Sequence, residues 1–142
     1  MDKEPLDAKP GFLTELSATA IPPNLWRLDA ELQYVTFVNG VAELIVAETG
    51  FVNDMASIPR IFRTLVPAGG RERRPSVIHD KGYRTSGKAV LFSGGDLTRK
   101  QVDFVFNEGM EAEGVPWAKR KILYHGVRAG GWWAWRKNGK KL

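Results

Sequence analysis

The sequence predicts an α+β fold. Antiparallel β-hairpins over about residues 12–50 would pack against three to four helices at about 57–66, 75–86, 98–113 and 116–129. Two observations predict it. Apolar residues recur at period two before Gly50, and helix start and stop signals appear only after it. Strands first and helices after is the order of an α+β domain, since a doubly wound sheet alternates them.

Residues 1–11 are polar, carry Pro5, Pro10 and Gly11, and read as a loose N-terminal arm before a single domain over 12–135. Phe12, Leu13, Leu16, Ala18 and Ala20 mark a first strand, ended by Pro22-Pro23. Trp26, Leu28, Ala30 and Leu32 then alternate as a half-buried strand does. Residues 33–38 are aromatic and β-branched, and Asn39-Gly40 turns the chain into a returning strand from Val41 to Ala47. Glu48-Thr49-Gly50 is the next turn.

Beyond Gly50 the texture is helical. Ser57 reads as an N-cap with Pro59 in the first turn, leading through Ile61, Phe62 and Leu65 until Pro67-Ala68-Gly69-Gly70 stops it. Pro75 opens a second helix carrying Val77, Ile78, His79, Asp80 and Tyr83, which closes near Gly87. Lys88 to Asp96 is a loop or short hairpin turning at Gly94-Gly95. Thr98 and Gln101 fit a capping box for a third helix, with Val102, Phe106, Gly109 and Met110 at helical spacing and Gly114 as its stop. Pro116 begins the last helix, through Trp117, Ile122, Leu123 and Val127 to the Gly130-Gly131 break. Trp132, Trp133 and Trp135 follow as packing or binding residues, and 136–142 is a basic tail.

Composition narrows the chemistry. A chain of 142 residues, 43% apolar, is enough for one core. It has no cysteine, which excludes disulfides, thiol catalysis and thiolate metal sites together. With only His79 and His125, a three-histidine metal site is impossible, and any zinc would need carboxylates. The net charge of +5 sits largely in residues 71–74, 119–121 and 136–141. Such runs suit nucleic acid, an anionic cell wall or an acidic protein, or serve solubility alone. No nucleic-acid motif with a defined mechanism is present. No apolar run approaches the roughly twenty residues of a membrane span, and Met1-Asp2-Lys3-Glu4-Pro5 lacks a secretory core. Any role outside the cytoplasm would need delivery by something else.

The polar residues between Asp54 and Asp103 are the candidate site. Asp54 and Ser57 either cap the helix they precede or face a pocket. His79 and Asp80 are neighbours, so a helix turns them about 100° apart. His79 is a core hydrogen-bonding histidine or a ligand, with Tyr83 one turn on to orient it, and Asp80 is an arginine partner or a ligand. Asp103 lies at the edge of an apolar stripe, where a carboxylate needs a cation, a donor or a metal. Asp54, His79, Asp80 and Asp103 together would make an oxygen-rich site with one nitrogen, suited to zinc or manganese and a hydrolytic water. No HExxH pair supports it. A Ser57-His79-Asp triad lacks the Gly-x-Ser-x-Gly elbow, and His125 reads as a core or surface residue.

At these residues the chain resembles a family found in tailed phages and prophages, the domain of unknown function numbered 1353. The resemblance rests on Gly50-Phe51-Val52-Asn53-Asp54-Met55-Ala56-Ser57-Ile58-Pro59-Arg60, His79-Asp80-Lys81-Gly82-Tyr83, Val102-Asp103-Phe104-Val105-Phe106 and Tyr124-His125-Gly126-Val127-Arg128. It covers most of residues 26–133 in the same order. Asn53 stands where threonine is usual, and Lys81-Gly82 departs inside the His-Asp block, where glycine weakens a helix. The resemblance implies a phage origin and a virion or late-gene role, and supplies no activity.

Two functions follow as expectations. One is a virion protein, tail-associated, whose catalytic Asp54, His79 and Asp80 hold a divalent metal with Asp103 and cut peptidoglycan amide bonds. The other is a non-catalytic tail or assembly protein that contacts other phage subunits. There the same residues form a buried hydrogen-bond network, and Trp132, Trp133, Trp135 and the basic tail dock on neighbours.

Overall fold

The computed structural model describes residues 9–54, 58–67 and 69–140. Its fold is α+β, with the antiparallel strands first and the helices after. β1 (Gly11–Phe12), β2 (Ala18–Ile21), β3 (Leu25–Leu28), β4 (Leu32–Thr36), β5 (Glu43–Ala47) and β6 (Val52–Asn53) form two sheets of order β1-β4-β5 and β2-β3-β6. Alternation places Leu32, Tyr34 and Thr36 of β4 inside, with Gln33 and Val35 half-buried between them. The expected hairpin forms, but its connection is wider than Asn39-Gly40 alone: Thr36 pairs with Glu43, so residues 37–42 make the loop, Val38 and Val41 fall outside the strands, and Gly40 takes φ of 85°. Gly50 likewise takes φ of 90° at the second turn, a conformation that favours glycine.

The continuous strands expected over 12–21 and 26–32 are each divided between sheets. The reason is polar. Asp29 takes a backbone bond to Ser17 O and accepts Thr19 Oγ1 at 2.7 Å and Ser17 Oγ at 3.3 Å, which turns the chain between β3 and β4. The short strand β6, which pairs with β3, had no signal in the sequence beyond the resemblance.

A 3-10 helix (Arg60–Leu65) stands where an α-helix over 57–66 was expected, with Pro59 immediately before it. Ser57, the expected cap, lies outside the described residues. Then come α1 (Arg73–Arg84), α2 (Arg99–Ala112), α3 (Trp117–Gly130) and α4 (Trp132–Gly139). The capping box on α2 is complete: Thr98 Oγ1 accepts from Gln101 N at 3.1 Å, and Gln101 Oε1 accepts from Thr98 N at 2.9 Å. α4 carries much of the basic run in a helix that continues to Gly139.

α1 is the central element, with β4 and β5 on one side and α2 on the other. Gly82 does not spoil it. A Cβ there would lie 2.6 Å from Val102 Cγ1, so the missing side chain is what lets α1 and α2 approach. Leu32, Tyr34, Ile45, Val77, Ile78 and Tyr83 fill one core cluster, and Phe106, Met110, Leu123 and Val127 a second. Glu108 of α2 straps the first sheet to the helices: it accepts Tyr34 Oη at 2.9 Å, Thr36 Oγ1 at 2.7 Å and Phe37 N at 3.0 Å. Glu108→Ala should lower the free energy of urea unfolding by about 2–3 kcal/mol, because three donors around a buried strand lose a charged acceptor together. A change within error would show that water replaces the strap.

Candidate functional site

The polar residues singled out in the sequence fall into two groups, on two faces of α1. His79 and Tyr83, one turn apart, point inward at Asp103 of α2. Asp80 points to the loop that carries Asp54.

Asp103 is fully buried, as is His79, and their side chains meet at 2.7 Å between Nε2 and Oδ1. A carboxylate cannot donate, so the His79 Nε2 proton lies toward Asp103. Tyr83 Oη donates to the same oxygen at 2.7 Å. The second oxygen, Oδ2, receives Arg128 Nη1 from α3 at 2.7 Å and Arg99 Nη1 from the preceding turn of α2 at 3.5 Å. Arg99 also donates to Val127 O at 3.1 Å and Arg128 O at 3.2 Å, supplying donors to the exposed carbonyl end of α3. The His79 ring packs between Tyr83 at 4.4 Å and Phe106 at 4.6 Å. One carboxylate therefore joins three helices.

The electrostatics match this geometry. Burial pushes the Asp103 carboxyl up, but the bonds from His79, Arg128 and Tyr83 outweigh it and hold it below the ordinary carboxylate range. Burial, then the Asp103 carboxylate, pushes the Tyr83 phenol up, so it stays protonated as a donor.

In the second group Asp54 N donates to Asp80 Oδ2 at 3.1 Å, and Arg84 reaches Asp54 Oδ2 at 2.9 Å and Asp80 Oδ1 at 3.9 Å. Asp80 is buried, whereas Asp54 is half-buried. Burial, and then the Asp54 carboxylate, push Asp80 up to about 7 against the opposing pull of Arg84. Protonated, Asp80 can donate to the Asp54 carboxylate, so that the two acids would share a proton and, with the Asp54 N–H bond, hold Asp54 against α1.

Asp54, His79, Asp80 and Asp103 thus do not converge. Among the described residues no group of three or more His, Asp or Glu side chains is arranged to hold a metal ion. The set does not fit zinc or manganese: both Asp103 oxygens are occupied by donors, and Asp80 and His79 diverge from adjacent positions of one helix. The binding residues divide as well. Trp132 and Trp133 are exposed on α4, but Trp135 turns inward and meets the Tyr83 ring edge-on at 5.0 Å. His125 is exposed, edge-on to Tyr124 at 5.4 Å.

A family whose description is "Protein of unknown function (DUF1353)" has a sequence model that matches residues 26–127, well over half of the chain. This chain belongs to the DUF1353 family. Comparison with curated proteins and with solved structures finds no match. The matched span of this DUF1353 domain contains Asp54, Asp80 and Arg84 of one group and His79, Tyr83, Arg99 and Asp103 of the other, and ends one residue short of Arg128. Arg84, Arg99 and Arg128 are the site residues that sequence reasoning missed. Arg84 follows Asp80, and Arg99 precedes Asp103, by one helical turn, a spacing that was available as a signal for both.

Proposed function

We propose that this DUF1353 domain is a non-catalytic assembly component of a tailed-phage particle, seated on an acidic neighbouring subunit by the outer face of α4. The observation that carries the non-catalytic reading is the saturation of Asp103: the buried carboxylate accepts from a histidine, a tyrosine and two arginines, all turned inward. A nucleophile or base must reach a substrate, and this one reaches only its own helices. The phage provenance rests on the motif resemblance, and the docking face on α4. There Trp132 and Trp133 lie side by side at 5.5 Å, and with Arg136, Lys137 and Lys140 they line a depression of about 520 Å³. Exposed tryptophan and arginine are the residues that anchor interfaces, and three cations around them fit an acidic protein surface.

The test is particle incorporation. Because the chain has no cysteine, Lys137→Cys admits a single photo-crosslinker at the rim of the proposed interface with both indoles kept. The expected result is a cross-link to one acidic structural subunit. The paired Trp132→Ala/Trp133→Ala variant should be incorporated at least tenfold less while unfolding at the same urea concentration. Equal incorporation of that variant, or cross-linking to nucleic acid instead, would overturn the reading.

A further inference from the structure

One part of the family motif is not absorbed by the buried network. Asp54, which follows β6, and Arg60 border a cleft of about 510 Å³ beside the 3-10 helix and the start of α1. Arg63 and Arg73 line it too, with the Trp26 side chain from β3 as an apolar wall. Among the described residues that line it, three guanidinium groups stand with one carboxylate, which also pairs with Arg84 at 2.9 Å. The cations differ in setting. Arg60 is exposed, whereas Arg63 is held by its Nε bond to Ile58 O at 2.9 Å. Arg73 is buried, with its guanidinium 5.1 Å from the centre of the Trp26 ring.

We propose that this cleft binds a phosphomonoester carried on a polyhydroxyl ring. The arginine forks would take the phosphoryl oxygens, Trp26 would back the ring, and Asp54 would accept from a hydroxyl. Planar arginine forks match an oxyanion bidentately, and a doubly charged phosphoryl group with three acceptor oxygens suits three of them better than a single carboxylate does. The site is distinct from the α4 face and stands whether or not α4 docks a neighbour.

Titration calorimetry of the full chain with glucose 1-phosphate, AMP, inorganic phosphate and glucose tests the assignment. The expected result is binding of glucose 1-phosphate or AMP that weakens with added salt, weaker binding of inorganic phosphate, and none of glucose. The two esters separate a sugar phosphate from a nucleotide as the source of the group. Arg60→Ala and Arg63→Ala should each weaken the bound ester at least about tenfold, with unchanged thermal unfolding for Arg60→Ala and a modest drop for Arg63→Ala, which also loses its bond to Ile58 O. Trp132→Ala/Trp133→Ala should leave it unaltered. No binding of either ester at tens of millimolar, equal binding of glucose, or affinity indifferent to both arginine changes would overturn the proposal.

Discussion

Asp103→Ala should lower the free energy of urea unfolding by about 3–5 kcal/mol, the range seen when one partner of a buried charged cluster is removed. The size follows from what is stranded. His79 and Tyr83 are buried donors that lose their shared acceptor, and Arg128 and Arg99 lose their counter-charge at once. Asp103→Asn should lie between the variant and the parent chain. Its amide oxygen still accepts from His79 or Tyr83, but its amino group faces Arg128, a donor against a donor. A catalytic Asp103 would give a different pattern, with Asn nearly as stable as the parent chain. A loss below about 1 kcal/mol for alanine would mean that the three helices do not depend on this carboxylate.

The second large effect is on pH dependence. The folded-state value of Asp80, about 7, lies above its ordinary value of 3.8. The folded chain therefore holds a proton that the unfolded chain has released between those two values, so stability is fully present below about pH 4 and falls as pH rises toward 7. About three units correspond to a fall of order 4 kcal/mol across that window. Asp80→Asn copies the protonated acid: its oxygen can take the Asp54 N–H and its amide can donate to the Asp54 carboxylate. Urea unfolding from pH 4.5 to 8 should show the parent chain losing stability and the variant nearly level, with the variant the more stable at pH 8. Asp103 works in the opposite sense, because its lowered value makes it lose stability only in acid, below this window. Parallel profiles for the two chains would remove the shared proton as the cause.

Local rules carried the sequence a long way. Asn39-Gly40, Thr98 with Gln101, Gly114 and Pro116 each specify a backbone geometry through their own atoms, so the hairpin and the ends of α2 and α3 were legible. The β-ribbon was not, because Asp29 divides it by bonding residues ten and twelve positions away. At the site, every residue of the Asp103 cluster except the arginines drew notice as a polar group in apolar surroundings. Which of them meet is a tertiary fact. The adjacency of His79 and Asp80 drew them into one constellation, whereas helical geometry sends one to the core and the other to a loop. Trp135 shows the same limit. Three tryptophans in four positions look alike in sequence, and only the packing of α4 on α1 tells the inward one from the outward two.

That packing has a consequence for any partner. Ser86 Oγ donates to Trp135 O at 2.8 Å, Asn138 Nδ2 donates to Tyr83 O at 2.8 Å, and the Trp135 ring closes the gap between them. A helix of eight residues has little persistence by itself, yet here its inner side is bolted in place before any encounter. The indoles that face outward are thus presented on a stiff platform, and a neighbour that lands on them has little freedom left to quench.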